Sequence, residues 1–210
     1  FFPPEPGAVE SHRGEITDHC KLDIEIATAQ QIAIDGDTVL VAAARGPGVS
    51  RYSDLPTALD ECSGDLCVGC DRFFTPTKEL FIDPADGDLG ITNGIARSPS
   101  GGWFVSSVFT GVINEYDADG AFVREILRPP DGESLGAAPF STGTPNGLAV
   151  TADGTLFYAD LAIVVRDNGS IGPGRGIGTV RAIRFVDGEP QPPEIIDDGL
   201  RFPDALGVLP

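Results

Sequence analysis

The chain is predicted to be all-β, a β-propeller of four-stranded antiparallel blades that forms part of a six-bladed ring. Three observations predict this. An Asn-Gly-hydrophobic-Ala motif recurs at a period near 58 residues, a little longer than the usual propeller blade. Each clear copy is followed by a polar turn and then a β-branched and aromatic run. Glycine and proline are abundant, at 27 and 18 of 210 residues, which suits many short strands joined by turns.

The clear copies are Asn93-Gly94-Ile95-Ala96 and Asn146-Gly147-Leu148-Ala149. Asp204-Ala205-Leu206-Gly207 is a third copy, and Gln30-Gln31-Ile32-Ala33 a degenerate one upstream. Turns at Ser98–Gly102 and Thr151–Thr155 lead into strands at Trp103–Val105 and Leu156–Tyr158. Third strands are expected at Val112–Tyr116 and Thr179–Phe185, closed by the turns Asp119-Gly120 and Asp187-Gly188, where glycine tolerates positive φ. Last strands follow at Phe122–Leu127 and Glu194–Ile196. A looser blade has strands at Ile32–Ile34, Val39–Ala42 and Glu79–Ile82, with a long insertion before the last. The organisation expected is an N-terminal segment with the end of a preceding blade (1–28), a blade with a Cys-bearing insertion (29–90), blades at 91–143 and 144–200, and the first strand of a further blade (201–210).

The repeat count leaves a ring unfilled, so the chain is expected to be the middle of a larger propeller, with blades completed by another segment or chain. A compact ring of 210 residues is the alternative. The chain has no Met, and its opening Phe1-Phe2-Pro3-Pro4 lacks a basic and apolar leader, so it is expected to begin by processing or truncation. With 14 Lys and Arg against 32 Asp and Glu, the net charge is −18, which repels phosphate and makes nucleic acid and anionic membrane poor partners. No stretch reaches the roughly 20 apolar residues of a membrane span.

The run Thr144-Pro145-Asn146-Gly147-Leu148-Ala149-Val150-Thr151-Ala152-Asp153-Gly154-Thr155-Leu156-Phe157-Tyr158-Ala159-Asp160 resembles the family of senescence marker protein, gluconolactonase and luciferin-regenerating enzyme. The resemblance covers roughly 92–208 well and 29–90 loosely. It implies a six-bladed, calcium-dependent propeller that hydrolyses lactones or related esters and phosphoesters. It further implies metal ligands at Asn93, Asn146 and Asp204, with Asp204 and Asp160 as the candidate catalytic carboxylates, although Asp160 matches an aspartate that is often structural in the family. The chain departs from the family in lacking an identifiable fourth ligand, a Glu, and in carrying Ala205 where a Gly follows the Asp. Paraoxonases, strictosidine synthases and NHL-repeat propellers share the Asn-Gly pattern, so it marks a superfamily.

The residue chemistry is compatible. Inner strands line a propeller's axis, and calcium takes carboxylate and amide oxygens, so it would act there as a Lewis acid. The plainer alternative is that each Asn-Gly makes a turn, the amide bonding nearby backbone. Asp153 reads as a turn residue, and His12 and His19 as isolated histidines in the N-terminal segment.

Cys20, Cys62, Cys67 and Cys70 are disulfide candidates in a secreted or periplasmic protein. The C-x4-C-x2-C cluster leaves zinc or an iron–sulfur centre as alternatives. The sequon Asn168-Gly169-Ser170 matters only in a eukaryotic source, and the glycine-rich stretch 172–178 reads as a flexible loop rather than a phosphate loop. Three functions compete: an exported hydrolase acting on a small lactone or ester, a non-catalytic extracellular propeller binding protein or glycan, and a redox subunit using the cysteine cluster.

Overall fold

The structure is a computed structural model that describes residues 9–12, 19–23, 28–44, 46, 48–54 and 77–208. All regular structure among them is strand. β1 (Val9–His12) and β2 (His19–Asp23) pair antiparallel near the N-terminus. A first four-stranded sheet contains β3 (Ala29–Asp35), β4 (Thr38–Ala43), β5 (Val49–Ser53) and β6 (Thr77–Ile82) in sequence order. A second contains β7 (Ile95–Arg97), β8 (Trp103–Ser107), β9 (Val112–Tyr116) and β10 (Phe122–Leu127).

The third sheet begins with β11 (Pro145–Val150) and β12 (Leu156–Asp160). It continues, after a hairpin of β13 (Ile163–Val165) and β14 (Ile171–Pro173), with β15 (Gly178–Ile183). A second small hairpin, β16 (Phe185–Val186) with β17 (Glu189–Pro190), precedes the outer strand β18 (Glu194–Leu200). Every pairing is antiparallel, and each four-stranded sheet is a propeller blade.

Side-chain alternation builds the ring direction. In the second blade, Trp103 and Val105 face the first blade and join Leu40, Ala42, Val49 and Ile82 in one core. Phe104 and Ile113 face the other way and join Leu148, Leu156, Tyr158 and Ile183 in a second core. With both faces covered, all five residues of β8 and of β9 are buried, the polar Ser106, Ser107, Asn114 and Glu115 among them. Each large side chain so buried contributes roughly 1.5–3 kcal/mol. The outward faces of the flanking blades are different: Ile32 and Ile34 on β3 and Ile196 on β18 are at least half exposed.

Several expectations need correction. β5 lies inside what the sequence suggested was insertion, because Val49-Ser50-Arg51-Tyr52-Ser53 has no repeat counterpart. The run Thr179–Phe185 is divided: β15 stops at Ile183, and Phe185 enters the β16–β17 hairpin, whose turn has positive φ at both Asp187 and Gly188. The glycine-rich stretch is partly ordered, since Gly172 and Pro173 pair with Val164 and Ile163. Residues 201–208 form no strand; their backbone link to β11 is a single hydrogen bond from Gly147 N–H to the Asp204 carbonyl (3.0 Å), too little for a ladder. Cys20 lies on β2, whereas Cys62, Cys67 and Cys70 fall outside the described residues, as does any pairing or metal chemistry among the four.

Candidate functional site

The inner strands β3, β7 and β11 lie side by side, with β7 between the other two. The repeated motifs open β7 and β11, which places Asn93 and Asn146 at equivalent strand starts on neighbouring blades. Both are buried, at 5% and 3% exposure. The glycine after each serves close approach rather than a turn. Neither Gly94 nor Gly147 has positive φ. A Cβ on Gly94 would collide with the Asn146 carbonyl oxygen and the Ser106 hydroxyl, and one on Gly147 with the Asp204 carbonyl and Ala205 Cα. Successive inner strands therefore touch backbone to backbone at this level.

Hydrogen bonds continue from one blade to the next. Gly94 N–H donates to Ser106 Oγ (2.8 Å), and that hydroxyl donates to the Asn146 carbonyl (2.6 Å). The Asn146 side chain then donates through Nδ2 to the Asp204 carbonyl (2.9 Å) and to Asp204 Oδ1 (2.5 Å). Asn146 and Asp204, selected as partners across 58 residues, are thus in direct contact. Asn146 Oδ1 accepts no hydrogen bond from the described residues, while Asn93 Oδ1 accepts one from Val108 N–H (3.0 Å). Asp204 itself is exposed.

Asp160 is placed differently. It is 1% exposed, and Oδ1 accepts from Thr144 N–H (2.8 Å), Thr144 Oγ1 (3.2 Å) and Ala162 N–H (2.8 Å). Oδ2 accepts from Thr179 Oγ1 (3.0 Å) and pairs with Arg181 Nη2 (3.0 Å). Gly143, at positive φ, passes so close that a Cβ there would strike the carboxylate. A carboxylate filled on both oxygens anchors the loop entering β11 to β12 and β15, and in this geometry it has no lone pair directed at a substrate. Asp153 is a turn residue as expected: Oδ1 accepts from Thr151 Oγ1 (2.5 Å) and Thr155 N–H (3.1 Å), and the first of these bonds leads in holding its pKa below the ordinary value.

Two residues escaped the sequence reading. Ser106 has no counterpart at the matching place in the other repeats. Gln31 stands in a degenerate copy of the motif, where the letters alone do not separate it from Gln30, although the alternation in β3 turns the two to opposite faces. Among the described residues no group of three His, Cys, Asp or Glu converges, so a metal on the axis would depend on amide oxygens joined by one carboxylate. At the other end of the inner strands a groove of about 660 Å³ runs between the second and third blades, bordered by Ser100, Glu115, Arg124, Thr155 and Phe185.

Solved structures share this architecture. A chain of the nidogen/laminin complex is 18% identical, with 89% of this chain and 55% of that one covered and a TM-score of 0.54. Luciferin-regenerating enzyme is 11% identical, with 89% and 52% covered and a TM-score of 0.53. A calcium-binding regucalcin from Agrobacterium tumefaciens is 19% identical, with 74% and 44% covered and a TM-score of 0.48. At such identities the likeness shows the fold, and the chain spans about half the length of the chains it matches. No family model matches the chain, and no curated protein does.

Proposed function

We propose that the chain contributes to an exported hydrolase of lactones or related esters, with Asn93, Asn146 and Asp204 as the oxygen donors of an axial calcium site. The observation that carries this reading is the Asn146–Asp204 contact: a buried amide whose carbonyl oxygen has no partner among the described residues meets an exposed carboxylate at the start of β11. The donor chemistry fits. Asn146 Oδ1 and Asp204 Oδ2 accept no hydrogen bonds from the described residues, and Asn93 Oδ1 keeps a second lone pair beyond its bond to Val108. Calcium held there would polarise a carbonyl oxygen. Asp204, exposed and hydrogen-bonded to Asn146, would take a proton from an attacking water. Asn146 orients that carboxylate through Nδ2, and Asp160 fixes the loop from which β11 departs.

Calcium titration with thermal unfolding, followed by lactone and ester turnover, tests the reading. Calcium stabilisation and turnover that both disappear in Asp204→Ala and Asn146→Ala are expected. Unchanged turnover in those variants overturns it. Blades completing the ring, from another segment or chain, would cover Ile32 and Ile34, and a secreted or periplasmic setting is proposed with them.

A non-catalytic extracellular propeller binding protein or glycan is the second reading. It is favoured by the single carboxylate among the three axial donors and by the engagement of Asn93 Oδ1 with backbone. Failure of calcium to bind, with no turnover, selects it.

A further inference from the structure

We infer that Gln31 is a positioning residue that holds the two asparagine-bearing inner strands in register. This deepens the axial reading above and rests on it for its metal consequence only.

β7 and β11 each lie at the edge of their sheets, so among the described residues their backbone groups on the axial side have no ladder partner. Gln31, from β3 of the first blade, reaches these groups. Its Oε1 accepts from Ile95 N–H (3.2 Å) and from Leu148 N–H (2.9 Å), while Nε2 donates to the Leu148 carbonyl (2.8 Å). With Leu148 the amide pairs as another peptide unit would, using both donor and acceptor. Ile95 and Leu148 each stand two residues after a candidate ligand, Asn93 and Asn146. One side chain therefore connects the same repeat position in two blades, 64 and 117 residues away. The length is specific: asparagine is one methylene shorter, and a methionine fills similar space without the bonds.

Amide hydrogen exchange read by NMR tests the clamp without any ligand. In Gln31→Met, Ile95 and Leu148 amides are expected to exchange at least tenfold faster, while Ser106 N–H, bonded to the Gly94 carbonyl (3.0 Å), keeps its protection. Unchanged exchange at Ile95 and Leu148 overturns the inference. Should Gln31→Met not fold, Gln31→Glu preserves an acceptor for both N–H groups but sets its second oxygen against the Leu148 carbonyl. Faster exchange at Leu148 than in the wild type then supports the clamp, and wild-type exchange overturns it. Calorimetric titration with calcium alone gives the second readout: at least a tenfold loss of affinity in the folded variant supports positioning of the ligands, and equal affinity refutes that part. If the wild-type chain binds no calcium, the metal reading falls, and the exchange result alone decides the clamp.

Discussion

Gly94→Ala isolates the contact between successive inner strands. The added methyl would overlap the Asn146 carbonyl oxygen and lie 2.6 Å from Ser106 Oγ and 2.7 Å from Leu148 Cγ. The oxygen belongs to backbone and cannot rotate away, so the blades must separate or the serine must leave. Overpacking of this kind costs about 1–3 kcal/mol, and loss of a serine hydrogen bond adds ~1 kcal/mol. A destabilisation of about 3 kcal/mol is expected in urea unfolding, equivalent to roughly 6–12 °C in Tm for a domain of this size. Gly207→Ala is the matched control, because a Cβ there meets nothing within 4 Å and its φ is not positive; it should lie within ~0.5 kcal/mol of wild type. A Gly94→Ala protein as stable as the control would refute the backbone-contact account of the Asn-Gly motif.

Other outcomes follow from the same geometry. Asp160→Ala leaves Arg181 and the Thr144 and Ala162 amides without their acceptor and should cost about 3–5 kcal/mol, measured by denaturant unfolding. Tyr116 has its phenol pKa pushed up to about 12, chiefly by burial. Its folded pKa lies above the unfolded value, so its contribution is complete below about pH 10 and is lost as pH rises from there toward 12. Tyr116→Phe should therefore flatten the alkaline fall of Tm, while weakening the fold at neutral pH through loss of the bond to the Asp86 carbonyl (2.5 Å). Asp204→Ala keeps the backbone carbonyl that Gly147 uses, so it should change calcium-free Tm by no more than about 2 °C while removing the calcium-dependent increase that the proposed axial site predicts.

The fold was legible wherever the repeat was regular. Phe122–Leu127 and Val112–Tyr116 form strands with the expected bounds, and Asp119-Gly120 turns between them with Gly120 at φ 85°. Asn146 and Asp204 were found by the same period, although only Asn146 starts a strand and Asp204 meets it from the segment after β18. What the sequence hid depended on three-dimensional neighbours. Gly94 looked like a turn residue, since a glycine needed for space and one needed for positive φ are written alike. Asp160 offered chemistry as a sequence letter, but its partners Thr144, Thr179 and Arg181 come from other strands and loops. Gln31 belonged to a degenerate repeat whose difference from Asn-Gly is itself informative, because its amide reaches two other blades instead of starting the same strand pattern.

The outer strand β18 carries a further consequence. Among the described residues no strand pairs with its outer side, its pairing with β15 is interrupted near Val180, and Asp197, Asp198 and Gly199 (φ 69°) sit beside the exposed Ile195 and Ile196. Paired carboxylates and a bent backbone make that margin a poor template for a foreign strand. Exchanging Asp197 and Asp198 together for threonine would turn this edge into a flatter β-branched ribbon. The chain's solubility would then depend on its overall negative charge rather than on this local guard against self-assembly.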